Sequence, residues 1–169
     1  MRWRKIITNF FRQNICEYAY TFLDKAYTSG KSGTDSFDAP GFTWYLFNKL
    51  FQIDINKDGY GLDNTTKQMT NNLGTIKIYP EDDKNKEKYL KDIKPGEILF
   101  FHTLKSQDKK PEATNKYPGH VGLYLGNNTF IHANYQAGKI TTNLLDDYWL
   151  KKLVASRDLI EYLTKNYPK

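Results

Sequence analysis

The sequence predicts an α+β fold, with N-terminal helices packed on a central antiparallel β-sheet. From Trp3 to Leu50, apolar residues recur at helical spacing. From Thr75 to Ala155 they fall in short strand-like runs bounded by turn residues, the first of them, Thr75 to Tyr79, alternating with period two. Helices first and an antiparallel sheet afterwards is the segregated arrangement of that class. A chain of 169 residues can bury a substantial core, so 1–169 is read as one domain, with 1–14 a helical extension.

Trp3, Ile6, Ile7, Phe10 and Phe11, then Ile15, Ala19, Phe22 and Leu23, predict a helix over residues 3–25 with a break near Gln13-Asn14. It is either a core-facing helix or, given Arg2, Arg4, Lys5 and Arg12, one that lies on a membrane surface. Cys16 sits inside this pattern, where a free cysteine behaves as a small core hydrophobe. As the only cysteine, it excludes an intramolecular disulfide framework and a thiolate zinc site. Tyr27 to Ser36 is a Gly/Ser-rich loop. A second helix is expected from Ala39 or Pro40 through Trp44, Tyr45, Phe47 and Leu50, because proline suits a first helical turn. Asp54 to Gly59 resembles the first half of a calcium loop. Its eighth position is Gly61 and its twelfth is Thr65 where a bidentate Glu is needed, so an ordinary Asn/Asp-Gly turn is the preferred reading.

A short helix over Thr65 to Leu73 follows. The strands are Thr75–Tyr79, Ile98–Phe101, Val121–Leu125, Thr129–Ala133, Lys139–Thr142 and Leu153–Ala155. The polar segment Ser106 to Gly119 is expected to be a loop near His120.

Composition narrows the partners. The formal net charge is +6 and the pI about 9.2, which favours an anionic partner such as nucleic acid or a carboxylate- and phosphate-rich wall. The cations are dispersed, and Lys84 to Lys94 interleaves Lys86, Lys88 and Lys91 with acids as a solvated face, so no nucleic-acid partner is expected. No run approaches the ~20 apolar residues of a bilayer span, so no stable membrane insertion is expected. The basic start Met1 to Lys5 mimics a signal peptide. However, Thr8, Asn9 and Arg12 interrupt the apolar run and no small-residue cleavage site follows. Release by another route, or excision from a longer exported protein, are the two expectations.

His120 and His132 can be placed by register. A three-residue Gly126-Asn127-Asn128 loop sets Leu125 opposite Thr129 and Gly122 opposite His132. His120 is then a diagonal neighbour of His132 on one face, about 7 Å away between backbones. A two-residue Asn127-Asn128 loop would place the histidines on opposite faces. Gly122 is expected to leave open space for His120 to approach a helix. A zinc site from His102, His120 and His132 is the alternative, without the spacing of known zinc motifs.

Four blocks in order carry a resemblance that covers most of the chain, from about Cys16 to Ser156. Phe37-Asp38-Ala39-Pro40-Gly41-Phe42-Thr43 resembles the Asp-Cys-Ser-Gly-Phe nucleophile motif of the NlpC-type family of papain-like cell-wall peptidases. Ala39 stands at the cysteine and Pro40 at the serine. Pro95 to Phe101, His120 to Gly126 and Phe130 to Ala133 are similar to the same family. The resemblance implies a papain-like fold and a peptidoglycan endopeptidase acting outside the cell, at the bacterial wall. It implies cleavage of stem peptides, between γ-D-glutamate and the diamino acid, by a Cys-His-His mechanism. In that scheme position 39 holds the nucleophile, His120 is the base and acid, and His132 orients it. Tyr27 and the N–H of residue 39 polarise the carbonyl, and Asp38 binds a free amine. No cofactor or metal is implied, and a monomer is expected. With alanine at 39 the chain is expected to be inactive. It is either a deliberate inactivating variant, the favoured reading, or, as Pro40 suggests, a natural pseudoenzyme that binds muropeptide or a protein partner.

Overall fold

The computed structural model describes residues 2–61, 63–103 and 118–166. Helix α1 (Arg2–Tyr20) runs without the break expected near Gln13-Asn14, and buries Arg12, Ile15 and Ala19. Two short strands, β1 (Ala26–Tyr27) and β2 (Ser36–Phe37), lead into α2 (Ala39–Phe51). Then come α3 (Asn64–Thr70), β3 (Thr75–Ile78) and a 3₁₀ helix, Lys86–Asp92. Strands β4 (Ile98–Phe101), β5 (His120–Gly126), β6 (Thr129–Asn134) and β7 (Lys139–Leu144) build the sheet centre. Helix α4 (Asp147–Lys152), β8 (Leu153–Asp158) and α5 (Ile160–Asn166) complete the described chain.

The strands form one eight-stranded sheet in the order β2-β1-β7-β6-β5-β4-β8-β3. Every pairing is antiparallel except the outer β1–β2 pair, so the sheet is mixed where a purely antiparallel one was expected. Those two strands sit at the two ends of the Gly/Ser-rich stretch read as loop, being too short to show a period. All four residues of β4 are buried, because helices α1 and α2 cover one face and α4 with the 3₁₀ helix cover the other. Ile98 and Phe100 join the first core; Leu99 and Phe101 join the second. Of the predicted loop Ser106 to Gly119, only Pro118 and Gly119 lie among the described residues. Among the described residues no helix is long and apolar enough to cross a membrane.

Two cations leave the roles expected of them. Lys86, read as part of a solvated face, is buried, and its Nζ donates to Leu153 O at 2.7 Å and Lys151 O at 3.2 Å. Arg12, counted with the basic flank of α1, is also buried. Its Nη2 donates to Asp158 Oδ2 at 2.6 Å and its Nη1 to Pro95 O at 3.0 Å, tying α1 to the start of α5. Arg12→Met would strand a buried carboxylate, so a loss of about 3–5 kcal/mol in urea unfolding is expected. Adding Asp158→Asn, which keeps an oxygen for the Ile160 N–H, should recover part of it. A loss under about 1 kcal/mol for Arg12→Met would mean the pair contributes nothing beyond an exposed one.

The Asp54 turn closes on itself. Asp54 Oδ1 accepts from Asn56 N at 3.1 Å and Trp44 Nε1 at 3.0 Å, and Asn56 Oδ1 accepts from Gln68 Nε2 at 3.1 Å. Gln68 in turn donates to Pro40 O at 2.8 Å and accepts from Thr43 Oγ1 at 2.6 Å. This places α3 as a brace on the first turn of α2.

Candidate active site

The start of α2 is locally over-determined. Asp38 is its N-cap, with Oδ1 accepting from Gly41 N at 2.7 Å, and Oδ2 accepting from Gly30 N at 2.9 Å. The 27–36 segment is thereby drawn onto the helix terminus, helped by Asp38 N donating to Lys31 O at 2.8 Å. A Cβ at Gly41 would lie 2.1 Å from Lys31 O, so only glycine permits this approach. Phe37 locks the connection from below, with edge-to-face contacts to Phe22, Phe42 and Tyr45 at 5.2–5.5 Å. Ala39 is the first helical residue and is nearly buried, 5% exposed. Pro40 has no N–H and the Gly41 N–H is capped. The Ala39 N–H is therefore a first-turn donor without a partner among the described residues.

The two histidines meet. His120 Nε2 lies 2.7 Å from His132 Nδ1, and His132 Nε2 lies 2.7 Å from Asn143 Oδ1. An amide oxygen only accepts, so His132 donates from Nε2 and accepts at Nδ1, where His120 donates from Nε2. The remaining lone pair of neutral His120 is on Nδ1. His132 thus has both ring nitrogens engaged, and among the described residues His102, His120 and His132 do not gather into a group that could hold a metal ion. His102 directs its Nε2 to Glu81 Oε1.

The register that unites the histidines arises by a route other than the three-residue loop. Asn127 and Asn128 both have positive φ, 50° and 56°, making a two-residue turn with Gly126 opposite Thr129. A bulge between Tyr124 and Gly126 then restores the Leu123–Ile131 register, so His120 and His132 share a face after all. Gly122 does not open space. A Cβ there would stand 3.0 Å from the Phe130 ring and 3.2 Å from His132 Cβ, so its bareness is what lets those rings pack beside β5.

Burial tunes the pair. Phe101 and Trp149 rings lie 6.1 and 5.8 Å from His120, and Phe130 and Trp149 lie 4.5 and 5.2 Å from His132. This apolar wall pushes His120 down to about 3, with the nearby His132 and Lys152 charges adding to it. His132 is pushed down to about 4 by burial, opposed by its bond to Asn143. An unfolded histidine titrates near 6.5, so between that pH and about 4 the unfolded chain binds more protons. Stability from this pair is therefore full above about pH 6.5 and falls as pH drops toward 4. Urea unfolding of a His132→Gln variant between pH 4 and 7 should give a slope shallower by about one proton. An unchanged slope would remove His132 as a source of acid sensitivity.

Ala39, His120, Tyr27 and Asp38 line one cleft of about 410 Å³, so the residues singled out from the sequence converge, with His132 behind His120. Tyr27 contributes from β1, its ring 5.5 Å from Tyr135. Its hydroxyl is held above its usual pKa, first by burial and then by Asp38 and Tyr135. Cys16 lies elsewhere, half-buried against Tyr124 O with its thiol pushed up to about 11, first by burial. Asn143, Tyr148, Trp149 and Lys152 were not singled out from the sequence. Asn143 was legible in principle. It lies two residues beyond Thr141, the β7 partner of His132, but the predicted strand stopped at Thr142. The α4 residues carry no period-two or motif signal.

Residues 24–158 match the NlpC/P60 family. Over 140 residues the chain is 28% identical to a Bacillus subtilis protein named probable peptidoglycan endopeptidase LytE, covering 82% of this chain and 32% of that one. Over 134 residues it is 22% identical to MepS of Escherichia coli, named a murein DD-endopeptidase and murein LD-carboxypeptidase, covering 79% and 55%. The chain thus spans about a third to a half of these relatives. Among solved structures, it is similar to NlpC2 from Trichomonas vaginalis, with TM-score 0.61 and 25% identity over 88% of this chain and 46% of that one. The NlpC/p60 domain of the peptidoglycan hydrolase SagA shares the fold, with TM-score 0.59 and 20% identity over 87% and 97%. The family match runs from just before β1 through the end of β8, taking in the capped helix start, the cleft and the histidine relay, and the chain belongs to the NlpC/P60 family.

Proposed function

We propose that the cleft is a papain-like cysteine-peptidase site for peptidoglycan stem peptides, in which residue 39 occupies the place of the nucleophile. The observation that supports this most is the relay from His120 through His132 to Asn143, opening onto the same cleft as the capped helix start at Ala39. A thiol at position 39 would give its proton to His120 Nδ1 and attack the scissile carbonyl. The N–H of residue 39 and the Tyr27 hydroxyl would share the charge on the carbonyl oxygen. His120 would then deliver that proton to the departing amine, and water would release the acyl group from sulfur with His120 again as base. His132 holds the tautomer, and Asn143 holds His132. Each carboxylate oxygen of Asp38 has a lone pair beyond those used by Gly30 and Gly41, so a substrate amine has a place to dock.

The bond expected to be cut is that between γ-D-glutamate and the diamino acid. As it stands the chain has no nucleophile at 39 and is expected to bind without cutting, acting as a monomer at the cell wall. A natural pseudoenzyme is the second reading, favoured by Pro40, which removes an N–H and a side-chain oxygen from the amine site. Digestion of purified peptidoglycan with the Ala39→Cys protein, followed by mass spectrometry of the fragments, tests the proposal. New amino termini on the diamino acid support it, and intact stem peptides would sink it.

A further inference from the structure

Helix α4 brings a cation to the cleft that the scheme above does not use. Lys152 and Tyr148 both line the cleft, and Lys152 Nζ donates to Tyr148 OH at 2.7 Å. The ammonium sits 4.1 Å from the Tyr148 ring centroid and 5.9 Å from that of Trp149. These contacts hold it in place without neutralising it. Other lysines meet carboxylates: Lys139 meets Asp24 at 2.6 Å, Lys88 meets Asp83 at 2.8 Å and Lys94 meets Glu161 at 2.8 Å. No carboxylate lies within ion-pair distance of Lys152 among the described residues. An ammonium has three donors, and Tyr148 takes one of them.

We infer that Lys152, positioned by Tyr148 and Trp149, binds a carboxylate on the leaving-amine half of the substrate. The inference rests on the stem-peptide reading above. In that reading His120 hands its proton to the departing amine, so the leaving half lies beside His120. Lys152 is the cation that acts on His120 from the α4 wall. Asp38 and Tyr27 serve the acyl half from the α2 and β1 walls. The cleft therefore offers an anion for a substrate amine and a cation for a substrate carboxylate. A diaminopimelate residue carries two candidates, its side-chain carboxylate and, when terminal, its main-chain carboxylate.

The chain as it stands tests this by binding alone. Isothermal titration would use synthetic L-alanyl-γ-D-glutamyl-diaminopimelate as the free acid and in two forms, each amidated at one of those carboxylates. The free acid should bind about tenfold or more tightly than one of the amides, and which one identifies the carboxylate held. Lys152→Met should abolish the preference, and Lys152→Arg should keep most of it, which separates lost charge from lost structure. Equal binding of the acid and both amides, or a preference that survives Lys152→Met, would overturn the inference while leaving the stem-peptide reading in place. Failure of the unaltered chain to bind any of the three would overturn that reading, and this inference with it.

Discussion

Ala39→Cys is expected to raise muropeptide turnover from background by on the order of 10⁶, the scale lost when a nucleophile alone is removed from a serine protease. The gain should appear together with a second, distinct thiol. A cysteine at the first position of α2 meets the positive end of the helix and the unpartnered N–H at that terminus, which favour the thiolate. Burial against Phe101 and Trp149 opposes an isolated imidazolium, so His120 holds the proton only while the thiolate beside it balances the charge. Alkylation at pH 6 should therefore find one fast thiol in the variant and one slow one. The slow thiol is Cys16, raised to about 11 by burial. Two slow thiols would mean that position 39 is not a nucleophile environment, and the binding-only reading would lead.

Within the Ala39→Cys background, His120→Ala is expected to remove nearly all of the restored activity, again on the order of 10⁶. No other group in the relay presents a lone pair to the cleft, because His132 spends both nitrogens on His120 and Asn143. His132→Ala should cost less, on the order of 10²–10⁴, since it frees the His120 tautomer without removing the proton carrier. Asn143→Ala should cost less again and act mainly by loosening His132. The order of these losses is the measurement. His132→Ala costing more than His120→Ala, or His120→Ala keeping most of the activity, would place the base elsewhere.

Much of this arrangement was legible without coordinates, for local reasons. Short apolar runs bounded by turn residues located strands β3 to β8, with β4 and β8 lacking alternation because both their faces are covered. Pro40 announced the start of α2, because proline's missing N–H suits a first helical turn, and the Asp38 carboxylate completes that terminus as its N-cap. The common site of residue 39, His120 and His132 was proposed from the four blocks that resemble the family, in their order along the chain, with the histidines placed on one face by register. Other features depended on groups distant in sequence. The charge of Arg12 reads as surface until Asp158 is brought 2.6 Å from it, and Lys86 until two carbonyls close on it. The turn length at Asn127-Asn128 alone predicts opposite faces for the histidines. Only the bulge beside Leu125, formed as β5 settles between β4 and β6, returns them to one face. The shift of His120 likewise belongs to no residue alone. It arises where Phe101 and Trp149, from two separate elements, exclude water from one imidazole. Sequence determined which residues could do chemistry and which segments would be helix or strand, because capping and periodicity act within a few residues. The tertiary structure alone decided protonation, pairing and the cation at Lys152, because desolvation and Coulomb forces depend on which distant surfaces fold together.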